Sequence, residues 1–163
     1  PNSAATDSRT VPASGGGWEW GYLRRFNTLL QYSVNCKDKT VRTRYQALTR
    51  FFRAYFYFEL VKRYGGVPLV GDNVYVLGDD VQLPLNTFAQ CIDYIVRELD
   101  EIKDDLRSLP MSDATEFAHA PTKETCLAMK ARVLLYAASP LFNEKPLEAG
   151  NELIGYASYD SQH

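Results

Sequence analysis

The sequence predicts a mainly α-helical fold, with four helices in two antiparallel pairs and one long loop after the second helix. Four segments carry apolar residues at spacings of three and four, the period of one helical face. Cap and stop signals bound these segments: a capping box at Thr87 and Gln90, glycines at 65–66, and a Ser-Pro step at 139–140.

For the first half of the chain, the sequence pattern predicts an arm and two helices. Residues 1–17 are polar, small and glycine-rich, which is typical of a loop or arm. From Trp18 onward the helical period sets in and predicts a first helix over about 18–35. A second helix over 39–64 ends at the two glycines, where a left-handed residue closes a helix without a Cβ clash.

The second half of the second helix, "FFRAYFYFELVKRY", is interpreted as core and not as a ligand platform. Its rings point in nearly every direction, whereas a sugar platform needs a few rings in one plane. A membrane-surface helix needs one apolar and one polar face, and this helix has neither. The aromatic residues expected in the core are Phe52, Tyr55, Phe56 and Phe58.

Glu59 lies among these aromatic residues, where a lone carboxylate would be costly. A buried acid poised for chemistry is one reading. The favoured reading is an ion pair that fixes helix register, with Arg63 one turn away, or Arg53 or Arg132, as the partner.

For the second half of the chain, the sequence pattern predicts a loop and two more helices. Residues 67–70 are expected to be extended, and the stretch that follows them up to Asn86 is a long loop with room for one short strand at 74–77. The third helix carries a regular Leu/Ile stripe that ends at Leu109 and faces a neighbouring helix. The fourth helix opens at Thr122 and stops before Pro140.

Several function classes have no support in the composition or motifs. A net charge of −2, with both signs scattered, gives no electrostatic footprint for nucleic acid. The chain lacks GxSxG, HExxH, a phosphate loop and GxGxxG, so we expect no enzyme activity and no cofactor. Cys36, Cys91 and Cys126 are far apart, and with two histidines they give no zinc-ligand spacing, so we expect small buried residues and no metal.

Five acids cluster on the predicted third helix: Glu98, Asp100, Glu101, Asp104 and Asp105. Paired carboxylates can do acid–base work, but only in a cleft that splits their pKa values. Because these acids lie opposite the Leu/Ile stripe, we expect them to form a solvated face.

Trp18 and Trp20, the only tryptophans, stand where the glycine-rich arm meets the first helix. Exposed aromatic faces stack on the apolar faces of sugar rings, and nearby Arg9 and Asp7 could bond sugar hydroxyls. The alternative is that both indoles pack onto the second helix.

Three ordered blocks resemble the N-terminal helical region of the SusD/RagB family, over about residues 44–143. They read "FFRAYFYFELVKRYGGVPLV", "FAQCIDYIVRELDEIKDDLRSLP" and "TKETCLAMKARVLLYAASPLFN". The resemblance implies tetratricopeptide-like helix pairs and a non-enzymatic lipoprotein on the outer-membrane surface. Such a protein binds glycans or other oligomeric nutrients beside a SusC-like TonB-dependent transporter. Its lipid would be attached to a cysteine upstream of Pro1.

The resemblance also implies a division of the chain and a site. Residues 1–17 would form the arm, 18–143 the SusD-like helical region, and 144–163 an irregular tail leading to a missing C-terminal part. The ligand-binding residues would be Trp18, Trp20, Arg9 and Asp7, with an oligosaccharide as ligand and no nucleic acid partner. The competing hypothesis is a helical-repeat scaffold that binds proteins and no small molecule.

Overall fold

The computed structural model describes residues 21–76, 78–108, 119–144 and 148–159. Within these ranges regular structure is helical, as predicted, and residues 74–76 form no strand. None of the described helices combines the length and apolar character that a membrane span requires. The helices are α1 Gly21–Ser33, α2 Lys39–Tyr64, α3 Phe88–Ile102, α4 Lys123–Ala137 and the short α5 Pro140–Asn143.

The first two helices pack antiparallel. At the start of α1, the Tyr22 ring lies 5.8 Å from the Phe56 ring near the end of α2. At the end of α1, Ser33 Oγ accepts a hydrogen bond of 2.7 Å from Gln46 Nε2 near the start of α2. Contacts that join opposite ends of consecutive helices require an antiparallel hairpin.

Helix α3 continues the antiparallel order against both of its neighbours. Tyr57 and Tyr94 stack edge to face between α2 and α3, with ring centroids 5.2 Å apart. Between α3 and α4, Lys130 Nζ lies 2.7 Å from Asp100 Oδ2. Just beyond the C-terminal end of α3, the Asp104 carboxylate lies 2.6 Å from Lys123 Nζ at the beginning of α4.

Both predicted ends of α2 are confirmed, whereas the predicted α3 extends further than the observed helix. Helix α2 spans Lys39–Tyr64, and the Asp38 side chain caps it by accepting from the Val41 backbone N–H at 3.0 Å. Helix α3 begins at the predicted capping box but ends at Ile102, where Asp105 N–H donates to the Ile102 carbonyl in a tighter turn. The apolar period outlasts the helix because buried Leu106 continues it in this turn.

The aromatic run on α2 is only partly core. Phe58 is fully buried, as expected for a core position, whereas Phe56 is only half-buried and packs against the edge of the core. The expectation is wrong for Phe52 and Tyr55, whose residues are 45% and 42% exposed. The neighbouring helices cover the faces of α2 that carry Phe51, Tyr57 and Phe58, and they leave one side of α2 uncovered.

The tail after α5 packs back onto the end of α2 and the start of α3. The Leu153 carbonyl accepts from Gly66 N–H at 2.6 Å, and the Glu152 carbonyl accepts from Phe88 N–H at 2.9 Å. Tyr156 is buried and meets the Phe88 ring edge to face, with ring centroids 5.4 Å apart. Residues 148–159 therefore complete this end of the helical core although they form no helix.

Replacing Gly65 by alanine is expected to lower the free energy of unfolding by about 3 kcal/mol. Gly65 ends α2 with φ +72°, and an added Cβ would lie 2.1 Å from the Leu153 carbonyl oxygen. Gly150 has a similar φ of +79° with open space around it, so Gly150→Ala isolates the conformational part, about 1 kcal/mol. Chemical denaturation measures both, and equal losses would contradict the packing argument.

Candidate functional site

The four residues predicted to bind ligand, Trp18, Trp20, Arg9 and Asp7, lie outside the described residues. The described chain begins at Gly21, directly after the second tryptophan. The structure around Gly21 is therefore the part of the described molecule closest in sequence to the predicted site.

Gly21 lines a cavity of about 390 Å³, here called the N-terminal cavity. One wall is the first turn of α1, and the other is the loop between α2 and α3. Its size lies within the range of small-ligand pockets, and such pockets combine apolar walls with few polar groups. The lining residues besides glycine are Leu23, Arg24, Pro68, Val70, Asn73, Tyr75, Val81 and Leu83.

Side chains of α1 hold the loop wall of this cavity in place. Asn27 Nδ2 donates to the Gly71 carbonyl at 2.9 Å and to the Asn73 carbonyl at 2.7 Å. One turn earlier, Arg24 Nε donates to the Tyr75 carbonyl at 3.0 Å. Because three loop carbonyls are bound by one helix, residues 71–75 have a fixed backbone path despite their lack of secondary structure.

The beginning of the loop is tied to α2 as well. Val70 N–H donates to the Tyr57 hydroxyl oxygen at 2.9 Å. Burial raises the pKa of Tyr57 to about 12, so the phenol stays neutral and protonated at neutral pH.

A buried ion network lies beneath the loop and joins it to three helices. Arg53 of α2 donates from Nη1 to Asn27 Oδ1 at 2.8 Å and to Asp72 Oδ1 at 2.6 Å. Its Nη2 donates to Glu98 Oε2 of α3 at 2.7 Å. Arg50, one turn earlier on α2, donates to both oxygens of the same carboxylate. The loop position is thus set by the contact between α1, α2 and α3.

The expectation of a solvated acidic face on α3 is wrong for Glu98, which is buried. Burial by itself raises the pKa of Glu98, but hydrogen bonds from Arg50 and Arg53 outweigh burial and hold that pKa below its usual value. Glu98 is therefore an ionised partner of two arginines and not an acid available for proton transfer at neutral pH.

Glu59 has the ion pair that the sequence predicts. Arg63, one turn further along α2, donates to Glu59 Oε2 at 2.7 Å, and Lys62 bonds the other oxygen. Burial tends to raise the pKa of Glu59, and the two cations lower it below its usual value. The paired carboxylate supports the structural reading of Glu59 over the catalytic one.

Sequence reasoning missed Asn27 and considered Arg53 only as a possible partner of Glu59, although both residues help to position the loop. Asn27 did leave a signal, because it stands between Leu23 and Leu30 on the face of α1 that should be apolar. A buried amide must find partners, and here the partners are loop carbonyls. Arg53 left a weaker signal, a single charge among the rings of "FFRAYFYF".

The arrangement is suited to binding. Among the described residues no group of three His, Cys, Asp or Glu side chains is placed to hold a metal ion. The buried acids and bases described above are paired with each other. Walls held in place by hydrogen bonds favour binding of a ligand with little rearrangement of the protein.

A family model matches most of the chain. The model is SusD-like_3, described as "Starch-binding associating with outer membrane", and it matches residues 15–135. No curated protein matches the chain.

Solved structures share the fold. A SusD-like protein from Bacteroides fragilis is 31% identical, with a TM-score of 0.62, over 70% of this chain and 22% of its own. A SusD-like carbohydrate-binding protein from the same species is 24% identical, with a TM-score of 0.57, over 70% and 22% of the two chains. A laminarin-binding SusD-like protein is 22% identical, with a TM-score of 0.62, over 72% and 26%. This chain thus spans about a quarter of the length of these structures, and the predicted helix-pair fold is confirmed.

Proposed function

This chain belongs to the SusD/RagB family, and from that membership we propose that it binds oligosaccharide for a TonB-dependent uptake system of the outer membrane. It captures the glycan at the cell surface and passes it to a SusC-like transporter in the same membrane. A lipid on an upstream cysteine anchors it there. It binds its ligand without transforming it and has no enzymatic role.

The observation that carries this proposal is the family match over residues 15–135, because the family is described as starch-binding and associated with the outer membrane. The resemblance of residues 44–143 noted above agrees with it. The 31% identical structure from Bacteroides fragilis is likewise a SusD-like protein.

The N-terminal cavity supports a binding site at this end of α1. Gly21, one of its lining residues, directly follows Trp20 in the sequence, so the two tryptophans are close in sequence to the cavity. We propose that Trp18 and Trp20 supply the stacking faces, with Arg9 and Asp7 bonding hydroxyls. The cavity wall at residues 71–75 supplies a surface that Asn27 and Arg24 have already fixed.

A helical-repeat scaffold without a small ligand is the second candidate. It is favoured by apolar side chains that stay exposed on α2 and α4. They include Tyr45, Phe52, Tyr55, Leu127 and Leu135.

Titration with oligosaccharides under tryptophan fluorescence separates the two candidates. The probes are malto-, laminari- and xylogluco-oligosaccharides. We expect at least one probe to change the emission saturably, and Trp18→Ala or Trp20→Ala to weaken its binding at least tenfold, about 1.4 kcal/mol.

Tyr32→Ala is the matched control, because Tyr32 is an exposed aromatic residue at the opposite end of α1. It should leave the affinity unchanged. Absence of saturable binding for every probe would favour the scaffold. Release of reducing ends from any probe would contradict the non-enzymatic part of the proposal.

A further inference from the structure

A second hollow, here called the polar cleft, adjoins the other side of the loop. It has a volume of about 690 Å³ and lies between α1, α2, the C-terminal end of α3 and loop residues 72–74. Asn73 lines both hollows, so this short stretch of loop separates them. The polar cleft differs from the N-terminal cavity in chemistry, since its walls carry the charged residues Arg50, Asp72, Glu101 and Asp105 together with Gln31 and Gln46.

Asp72 is an exposed acceptor held in place from below. Its side chain is 81% exposed, whereas that of Arg53, whose Nη1 lies 2.6 Å from Asp72 Oδ1, is only 3% exposed. No residue of the described ranges donates to Asp72 Oδ2. The carboxylate is therefore oriented by a buried arginine, and it lines the cleft with a second oxygen that has no donor among the described residues.

Arg50 is a hydrogen-bond donor on the wall of the same cleft. Glu98 accepts from its Nε at 3.1 Å and from its Nη2 at 2.8 Å, and Glu101 accepts from Nη2 as well. Its side chain keeps 25% exposure, and among the described residues nothing accepts from Nη1. A guanidinium held on one edge by two carboxylates presents its remaining N–H groups in a fixed direction.

We propose that the polar cleft is a second carbohydrate subsite, in which Asp72 accepts from and Arg50 donates to the hydroxyls of an uncharged sugar unit. The identity of the ligand rests on the proposed function. A sugar hydroxyl both donates and accepts, so neighbouring hydroxyls match a paired acceptor and donor. Hydrogen bonds to ionised groups are the stronger kind.

Features of the cleft favour a neutral polyol over an anion. Arg50 is already paired with Glu98 and Glu101, and the further acids Asp72 and Asp105 on the cleft walls would repel an anionic ligand. The amides of Gln31 and Gln46 line the same walls and can exchange hydrogen bonds with hydroxyls in either direction.

The test is titration of the ¹⁵N-labelled full chain with malto-, laminari- and xylogluco-oligosaccharides, followed by NMR. The side-chain amides of Gln31 and Gln46 report on the cleft, and the backbone amides of Gly21 and Tyr75 report on the cavity. We expect saturable shifts at the two glutamines, and Asp72→Ala to weaken the affinity measured there at least tenfold. Asp72→Asn, which keeps a neutral acceptor, should retain part of that affinity.

Asp80→Ala is the matched control, because Asp80 is an exposed acid of the same loop that lines neither hollow. It should leave the glutamine shifts unchanged. Shifts confined to Gly21 and Tyr75 would overturn the cleft subsite and leave the proposed function standing. Glutamine shifts that persist unchanged in Asp72→Ala would overturn the role of Asp72. Absence of shifts at all four reporter amides would overturn both proposals.

Discussion

Replacing Arg53 by methionine is expected to lower the free energy of unfolding by about 3 to 5 kcal/mol. Methionine has a similar length but cannot donate hydrogen bonds. Buried Glu98 then loses one of its two arginine partners, and buried Asn27 loses the donor to its side-chain oxygen. Urea denaturation followed by circular dichroism measures the change, provided that the m-value is unchanged.

Arg63→Met is the matched control for the arginine. Like Arg53, Arg63 pairs with a glutamate, in this case Glu59 of α2. Its side chain is 44% exposed, so the free energy of unfolding should fall by no more than about 1 kcal/mol. The double variant Arg53→Met/Glu98→Leu should recover part of the stability lost in Arg53→Met, because it removes the carboxylate left short of a partner. A loss below about 1 kcal/mol for Arg53→Met would show that the network contributes little to the fold.

Replacing Phe58 by alanine is expected to lower the free energy of unfolding by about 3 to 5 kcal/mol. The ring is fully buried between helices and meets Tyr136 of α4 edge to face, with centroids 5.4 Å apart. Its removal takes apolar surface out of the core and leaves a cavity that the surrounding helices can fill only in part.

The control, Phe52→Ala, removes the same ring from the uncovered side of α2. Nearly half of Phe52 is exposed, so a loss of about 1 kcal/mol is expected. A larger loss at Phe52 than at Phe58 would mean that the uncovered side of α2 is buried in solution, for instance by association. Sedimentation of the wild-type chain would detect that association directly.

The candidate site was less predictable from sequence than the helices were. The tryptophans suggested one end of α1, and the N-terminal cavity lies beside that end, yet nothing in the pattern indicated that the predicted long loop would form its other wall. Residues 67–86 carry turn-forming residues without a period, so their path depends on what they contact. The contacts come from Asn27 and Arg53, which are 46 and 19 residues away from their loop partners Asn73 and Asp72.

The sequence by itself determined the helices, their caps and the family, because helical period and capping are local properties of a few consecutive residues. The tertiary structure alone decided which rings of "FFRAYFYF" are inside, since the rotation of α2 against its neighbours buries Phe58 and exposes Phe52. It also decided that Glu98 is buried with Arg53, 45 residues away, and not solvated with the other acids. Such pairings depend on how helices pack in space, and the periodicity of one helix carries no information about the register of the next.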